Sequence, residues 1–104
     1  MTVDDAVTGR ATLAASPGLL VIRPTTAGEE WTIHNIYVPF GKKVSLYWSN
    51  DPTGVDKGVN IGPIPYSLLG QYNFHCTNTD FLILVNGEAT ETKVGYDGVV
   101  TNTS

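Results

Sequence analysis

Trp31-Thr-Ile-His-Asn-Ile-Tyr-Val38, Pro39-Phe-Gly-Lys42 and Val44-Ser-Leu-Tyr-Trp-Ser49 together decide the fold class. Val44, Leu46 and Trp48 alternate with Ser45, Tyr47 and Ser49, which is the period of two expected of a half-buried strand. In the first segment Trp31, Ile33 and Tyr37 share one side, with Asn35 interrupting, and Thr32, His34, Ile36 and Val38 share the other. Both sides are partly apolar, as in a central strand of a sandwich. The short Pro-Phe-Gly-Lys connection predicts that the two segments form a hairpin.

Working outward, the same pattern recurs. On the N-terminal side, Ala11 to Ala15 and Leu19 to Arg23 are short apolar segments separated by Ser16, Pro17 and Gly18, a turn signal between two strands. On the C-terminal side, the Gly- and Pro-rich stretch from Lys57 to Gly70 has room for one short strand near Val59 to Ile61 before a Pro-Tyr loop. Tyr72, Phe74 and Cys76 alternate with Asn73, His75 and Thr77. Phe81-Leu-Ile-Leu-Val85 is a nearly continuous apolar run, the mark of a buried strand. Asn86-Gly87 is a strong hairpin signal leading into Ala89 to Tyr96, and Asp97-Gly98 reads as a final turn. About seven or eight short strands at roughly 8 to 12 residue spacing predict an all-β antiparallel β-sandwich or jelly roll in one domain over residues 10–98. Residues 1–9 are polar and lack a period that would bury a face, so they read as an extended N-terminal arm, and residues 99–104 as a tail.

Composition agrees with a small globular domain. The chain has 104 residues, 41% hydrophobic and 15% charged, with eleven Gly and six Pro. Scaling laws give a folded surface of about 5,700 Å² against roughly 16,000 Å² unfolded, enough burial to fold without staples. Six Lys and Arg against ten Asp and Glu leave a net charge of −4, and the basic residues are scattered, so neither a nucleic-acid stripe nor a membrane patch is expected. The lone Cys76 cannot form an intramolecular disulfide or a CxxC pair. The opening MTVDDAVTGR lacks the basic start and apolar stretch of a signal peptide, and the longest apolar runs are too short to span a bilayer. A soluble protein made in a cytoplasm is expected, able to leave it inside or upon a larger particle.

Catalytic and ligand constellations are poorly supported. His34 and His75 with Asp80 or Cys76 lack metal-ligand spacing, so both imidazoles are expected at strand faces, bonded to neighbours. Cys76 reads as a small core residue, since no base or orienting residue can be placed beside it. Glu29 and Glu30, adjacent at the start of a strand, point to opposite faces and read as a solvated turn, not an acid/base pair. The Gly54 to Gly62 stretch has no GxxxxGK[ST] motif, and no nucleotide or other cofactor is expected. Aromatic residues leave a sugar-binding reading open: Trp31 and Trp48 are expected in the core, with Tyr47 and Tyr66 the exposed pair.

Ala27-Gly-Glu-Glu-Trp-Thr-Ile-His-Asn-Ile-Tyr37, the strand Val44-Ser-Leu-Tyr47, Tyr72-Asn-Phe-His-Cys-Thr-Asn78 and Val94-Gly-Tyr-Asp-Gly98 resemble a group of small structural proteins of tailed-bacteriophage virions. The resemblance covers roughly residues 18–100. It implies a noncatalytic capsid decoration, or cement, protein that binds the major capsid protein on the outside of the head and clusters as a homo-oligomer, a trimer about a threefold axis being favoured. A tail, neck or fibre-tip component, or a carbohydrate-binding module, is the alternative. On this view the arm residues Thr2, Val3, Asp4, Asp5 and Val7 dock on the capsid, because nine polar residues cannot offset their ordering cost of about 1 to 2 kcal/mol each without a partner. Asp51, Val55, Tyr66 and Tyr47 form a candidate interaction loop.

Overall fold

Eight strands make up the fold: β1 (Ala6–Leu13), β2 (Leu19–Ile22), β3 (Glu30–Tyr37), β4 (Val44–Ser49), β5 (Val59–Pro63), β6 (Leu68–Cys76), β7 (Phe81–Asn86) and β8 (Thr92–Asn102). The computed structural model describes residues 2–103, apart from the side chain of Gln71. The strands form two four-stranded antiparallel sheets, one in the order β1-β8-β3-β6 and the other β2-β7-β4-β5. That order is the jelly roll, an eight-strand double sheet built from two Greek keys. The accessible surface is 5659 Å², close to the value expected from chain mass.

The core lies between the sheets. Val44 and Leu46 of β4 and Leu82 and Leu84 of β7 pack in it with Ile33 and Ile36 of β3 and Val94 and Val100 of β8. In β7 the other side is covered too, since Phe81 and Ile83 are fully buried. The Arg23 guanidinium lies 5.3 Å over the Phe81 ring. The loop after β4 crosses the outside of this sheet to its far edge, where a Cβ on Gly54 would lie 2.8 Å from Leu19 Cδ2. This cover explains why β7 is apolar at successive positions.

Several sequence expectations need correction. The segments on either side of residues 39–43 are not a hairpin, because β3 and β4 belong to different sheets, and so do β7 and β8 on either side of Asn86-Gly87. In a jelly roll the chain passes repeatedly between sheets, and here only β4 and β5 are both consecutive and paired. Asn86 is a buried hub, not a turn residue. Its Nδ2 donates to Ala14 O at 2.9 Å and Thr90 O at 3.0 Å, and its Oδ1 accepts from Glu88 N at 2.9 Å and Thr92 Oγ1 at 3.2 Å.

The domain limits of 10 and 98 also move. Residues 6–9 belong to β1, which pairs with β8 from Ala6↔Val99 to Leu13↔Thr92. Val7 is a core residue, and the inward position at Gly9 is occupied by the Tyr96 ring, 2.5 Å from where a Cβ would stand. Residues 99–102 continue β8, and Val100 is buried opposite Trp31. Asp97-Gly98 therefore ends nothing: a Cβ on Gly98 would meet Thr32 O at 2.0 Å, so glycine there permits close backbone approach to β3. Met1 and Ser104, at the ends of the expected arm and tail, lie outside the described residues.

Candidate functional site

An exposed apolar surface follows from how the sandwich closes. Strands β5 and β6 are edges of opposite sheets, and almost every residue of β5 is exposed because little from the other sheet covers it. A groove of about 330 Å³ opens there into the side of the core, with Leu46 and Phe74 among the groups lining it. Ile61, Tyr66 and Tyr72 line it from the rim and are 47%, 51% and 58% exposed. The local sequence explains the opening. Gly62 has φ +138 and Gly70 φ +72, each beside a register shift in its strand, and Pro63 and Pro65 remove backbone donors from this edge. The Pro65 carbonyl accepts from Gly41 N at 2.7 Å, while Ser67 Oγ bridges to Val38, fixing the connection beside the groove.

The groove lining holds no charged side chain. Its chemistry is therefore apolar contact plus the tyrosine hydroxyls, which suits a protein surface better than a polar small molecule. Among the described residues no cluster of three or more His, Cys, Asp or Glu is arranged to hold a metal ion. His34 Nδ1 instead pairs with Asn73 Oδ1 at 2.8 Å and His75 Nε2 with Glu30 Oε1 at 2.6 Å, as expected of strand-face imidazoles. Cys76 is fully buried, and desolvation pushes its thiol up to about 12, which disfavours the nucleophilic thiolate.

The expected interaction loop is not a single site. Asp51 organises the turn after β4: its carboxylate accepts from Thr53 N and Asp56 N at 2.9 Å each and from Thr53 Oγ1 at 2.6 Å. These bonds, the Asp56 backbone donor foremost, hold its pKa below the usual carboxylate value. Val55 is 84% exposed on that loop. Tyr66 lies beyond the opposite end of the β4/β5 pair, in the groove, and Tyr47 is half-buried on β4, where it packs against the core. Of the four, only Tyr66 joins the apolar opening.

The expected docking arm is likewise rearranged. Thr2 N and Oγ1 donate to the Asp5 carboxylate at 2.8 and 3.0 Å, lowering its pKa, and Asp5 N returns to Thr2 O. Asp4, at φ 71, donates its N–H to Val100 O, and Val100 N donates to Asp5 O. Residues 2–5 are thus a turn pinned to β8, with Val3 exposed and Val7 withdrawn into the core. Glu29, expected in a solvated turn, is buried and accepts from Trp31 Nε1 at 2.7 Å. The Trp31 ring in turn stacks on Tyr96 at 6.5 Å.

The motif stretches are knitted to one another. Asn78 accepts from Gly28 N, where φ is +81, and donates to Pro24 O and Thr26 O, shaping the entry to β3. Asp97 joins Asn35 and Tyr37 across β8 and β3. Neither pairing was legible from spacing, since each links residues about fifty or more apart in the chain.

No protein-family model matches the chain, and neither does any curated protein. A chain in a solved structure of Bacillus endospore appendages, described as a novel family of disulfide-linked pili, is similar in fold. Its TM-score is 0.56 at 17% identity, covering 98% of this chain and 88% of that one. At that identity the likeness shows the all-β fold.

Proposed function

We propose that this protein is a noncatalytic structural component of a tailed-phage virion, a decoration protein that binds the outside of the head and contacts the major capsid protein through the opening between β5 and β6. The observation that carries the reading is the half-exposed apolar rim of Ile61, Tyr66 and Tyr72, which leaves part of a jelly-roll core uncovered in the isolated subunit. The motif resemblance to small virion proteins supports the phage setting. The shared fold with a subunit of spore pili is compatible with a role in a repetitive assembly. Disulfide linkage, as described for those pili, has no counterpart in this reading, because the sole cysteine of the sequence is buried. Residues 2–5 serve as a secondary contact rather than a loose docking arm, and association of copies about a threefold axis belongs to the same proposal.

Co-sedimentation with expanded capsids tests it. The wild-type protein is expected to pellet with capsids in hundreds of copies per particle, and Tyr66→Ser with Tyr72→Ser to lose at least about tenfold in affinity, or roughly 1.4 kcal/mol, while keeping its melting temperature. Unchanged binding by the double variant would remove the groove from the interface. Tens of copies per virion, found in the tail fraction, would replace the head location with a tail or neck one.

A further inference from the structure

The outer face of the β1-β8-β3 sheet carries a second constellation, unrelated to the apolar opening. Antiparallel register sets Arg10, Gly95 and Tyr37 side by side across three strands, and Thr8, Asp97 and Asn35 in the adjoining row. Residues two apart in a strand share a face, so the six form a grid. Gly95 has no side chain, and a Cβ there would lie 3.1 Å from Gly9 O, 3.3 Å from Arg10 Cγ and 3.7 Å from Tyr37 Cδ2, so Arg10 and Tyr37 close in from either side over a glycine floor with little room for even a methyl group. Two hollows of about 550 and 290 Å³ both have Arg10 and Tyr37 in their lining.

The polar groups around this floor are unequally satisfied. Asn35 Nδ2 donates to Asp97 Oδ1 at 2.6 Å and Tyr37 OH donates to Asp97 Oδ2 at 2.5 Å. These bonds orient the carboxylate and the ring, and donation to Asp97 raises the Tyr37 pKa. Each carboxylate oxygen still has acceptor capacity left. Arg10 is exposed, and among the described residues nothing accepts a hydrogen bond from its five-donor guanidinium. Lys93 adds a second cation to the lining. The site therefore offers an oriented acceptor, an exposed aromatic ring and an uncommitted planar cation on one face of the sheet.

We infer that this face binds an acidic sugar, a pyranose bearing a carboxylate. Sugar hydroxyls donate to Asp97, the apolar C–H face of the pyranose rests on the Tyr37 ring, and the sugar carboxylate takes the guanidinium of Arg10 in a two-pronged contact assisted by Lys93. A neutral sugar leaves both cations unused. With a net charge of −4 on the chain, long-range steering does not favour an anion, so recognition depends on these short-range contacts.

Amide chemical-shift titrations with methyl β-D-glucuronide, trigalacturonate, methyl β-D-glucoside and acetate test the inference. Both acidic sugars are expected to shift the amides of Arg10, Tyr37, Gly95 and Asp97 and to bind at least about tenfold more tightly than the neutral glucoside. Arg10→Gln, an exposed substitution, is expected to erase that preference without changing the melting temperature, and Asp97→Asn to weaken acidic and neutral sugars alike. A stronger response to the trisaccharide than to the monosaccharide would identify a polysaccharide chain as the ligand; equal responses would identify a single residue. Acetate shifts as large as those with glucuronide, an Arg10→Gln protein that keeps its preference, or shifts confined to the β5/β6 groove would each overturn the inference.

Discussion

Asn86 occupies a position that local sequence rules misassign. Before glycine and after an apolar run, it has the signature of a two-residue hairpin turn. In the fold it is fully buried, and one side chain closes the ends of three chain segments with four hydrogen bonds. Asn86→Ala would strand two carbonyls, an amide and a hydroxyl, each costing roughly 1 to 3 kcal/mol when left unpaired in the interior. Water can reach part of the cavity, so a loss of about 3 to 5 kcal/mol is expected, read as a shift of the urea midpoint at constant slope. Asp51 supplies a contrasting, titratable case. Its folded pKa is depressed, so its contribution to stability is fully present above the unfolded value of about 3.9 and is lost as pH falls through the lower folded value. Asp51→Asn should therefore destabilise the protein at neutral pH, and the gap between variant and wild type should shrink as both are titrated below about pH 4. A gap that stays constant through that range would show that the loop does not depend on the ionised carboxylate. Residue types at strand faces were legible: alternation alone placed both histidines beside polar neighbours and Cys76 in the core. Glu29 was not, because its burial depends on the indole N–H of Trp31 folding back on it.

At the scale of elements, strands were legible where a single face carried branched or aromatic residues, as in Val44-Ser-Leu-Tyr-Trp-Ser49. The first half of β1 was hidden by its own chemistry, while Ala11 to Leu13 fall within a segment that reads as a strand. The strand's inward residues are Val7, Gly9, Ala11 and Leu13, which do alternate, but a glycine carries no apolar side chain to mark the period and the aspartates before it made the stretch read as polar. The missing volume at Gly9 is supplied from β8 by Tyr96, a complement that no local window contains. The energetic consequence is testable. Deleting residues 2–8 removes the buried Val7 side chain, worth about 1.5 to 3 kcal/mol, and the first rungs of the β1/β8 ladder. The truncated protein is expected to melt several degrees lower than the full chain in calorimetry. An unchanged melting temperature would mean that these residues are not integral to the sheet and would restore the loose arm that the sequence suggested.

Across the whole molecule, the limit of sequence reading is partner choice. Period-two alternation tells a strand which face is apolar, but not which sheet receives it, and the hairpin signals at residues 39–43 and 86–87 favoured neighbours that the fold separates. In the jelly roll the first strand pairs with the last, β3 pairs with β8 and β6, and β2 pairs with β7, so nearly all of the hydrogen-bonded ladders join distant parts of the chain. Each such pairing requires loop closure before its contacts can repay the lost entropy. Refolding is therefore expected to be slow for a chain of this length, in the range of about milliseconds to seconds that characterises β-sandwiches, and not the microseconds of local folds. Stopped-flow tryptophan fluorescence provides the measurement, since Trp31 in β3 and Trp48 in β4 report on opposite sheets. With Trp31→Phe and Trp48→Phe variants, each sheet can be followed alone. If β4 and β5, the one consecutive pair, formed early as an independent hairpin, Trp48 would change before Trp31. Coincident single-exponential traces are expected instead, because β5 is exposed on nearly every residue and that hairpin has little apolar surface to bury until β7 is in place between β4 and β2. A fast Trp48 phase separated from a slow Trp31 phase would overturn that order and make the β4/β5 edge, with the groove it borders, a folding unit of its own.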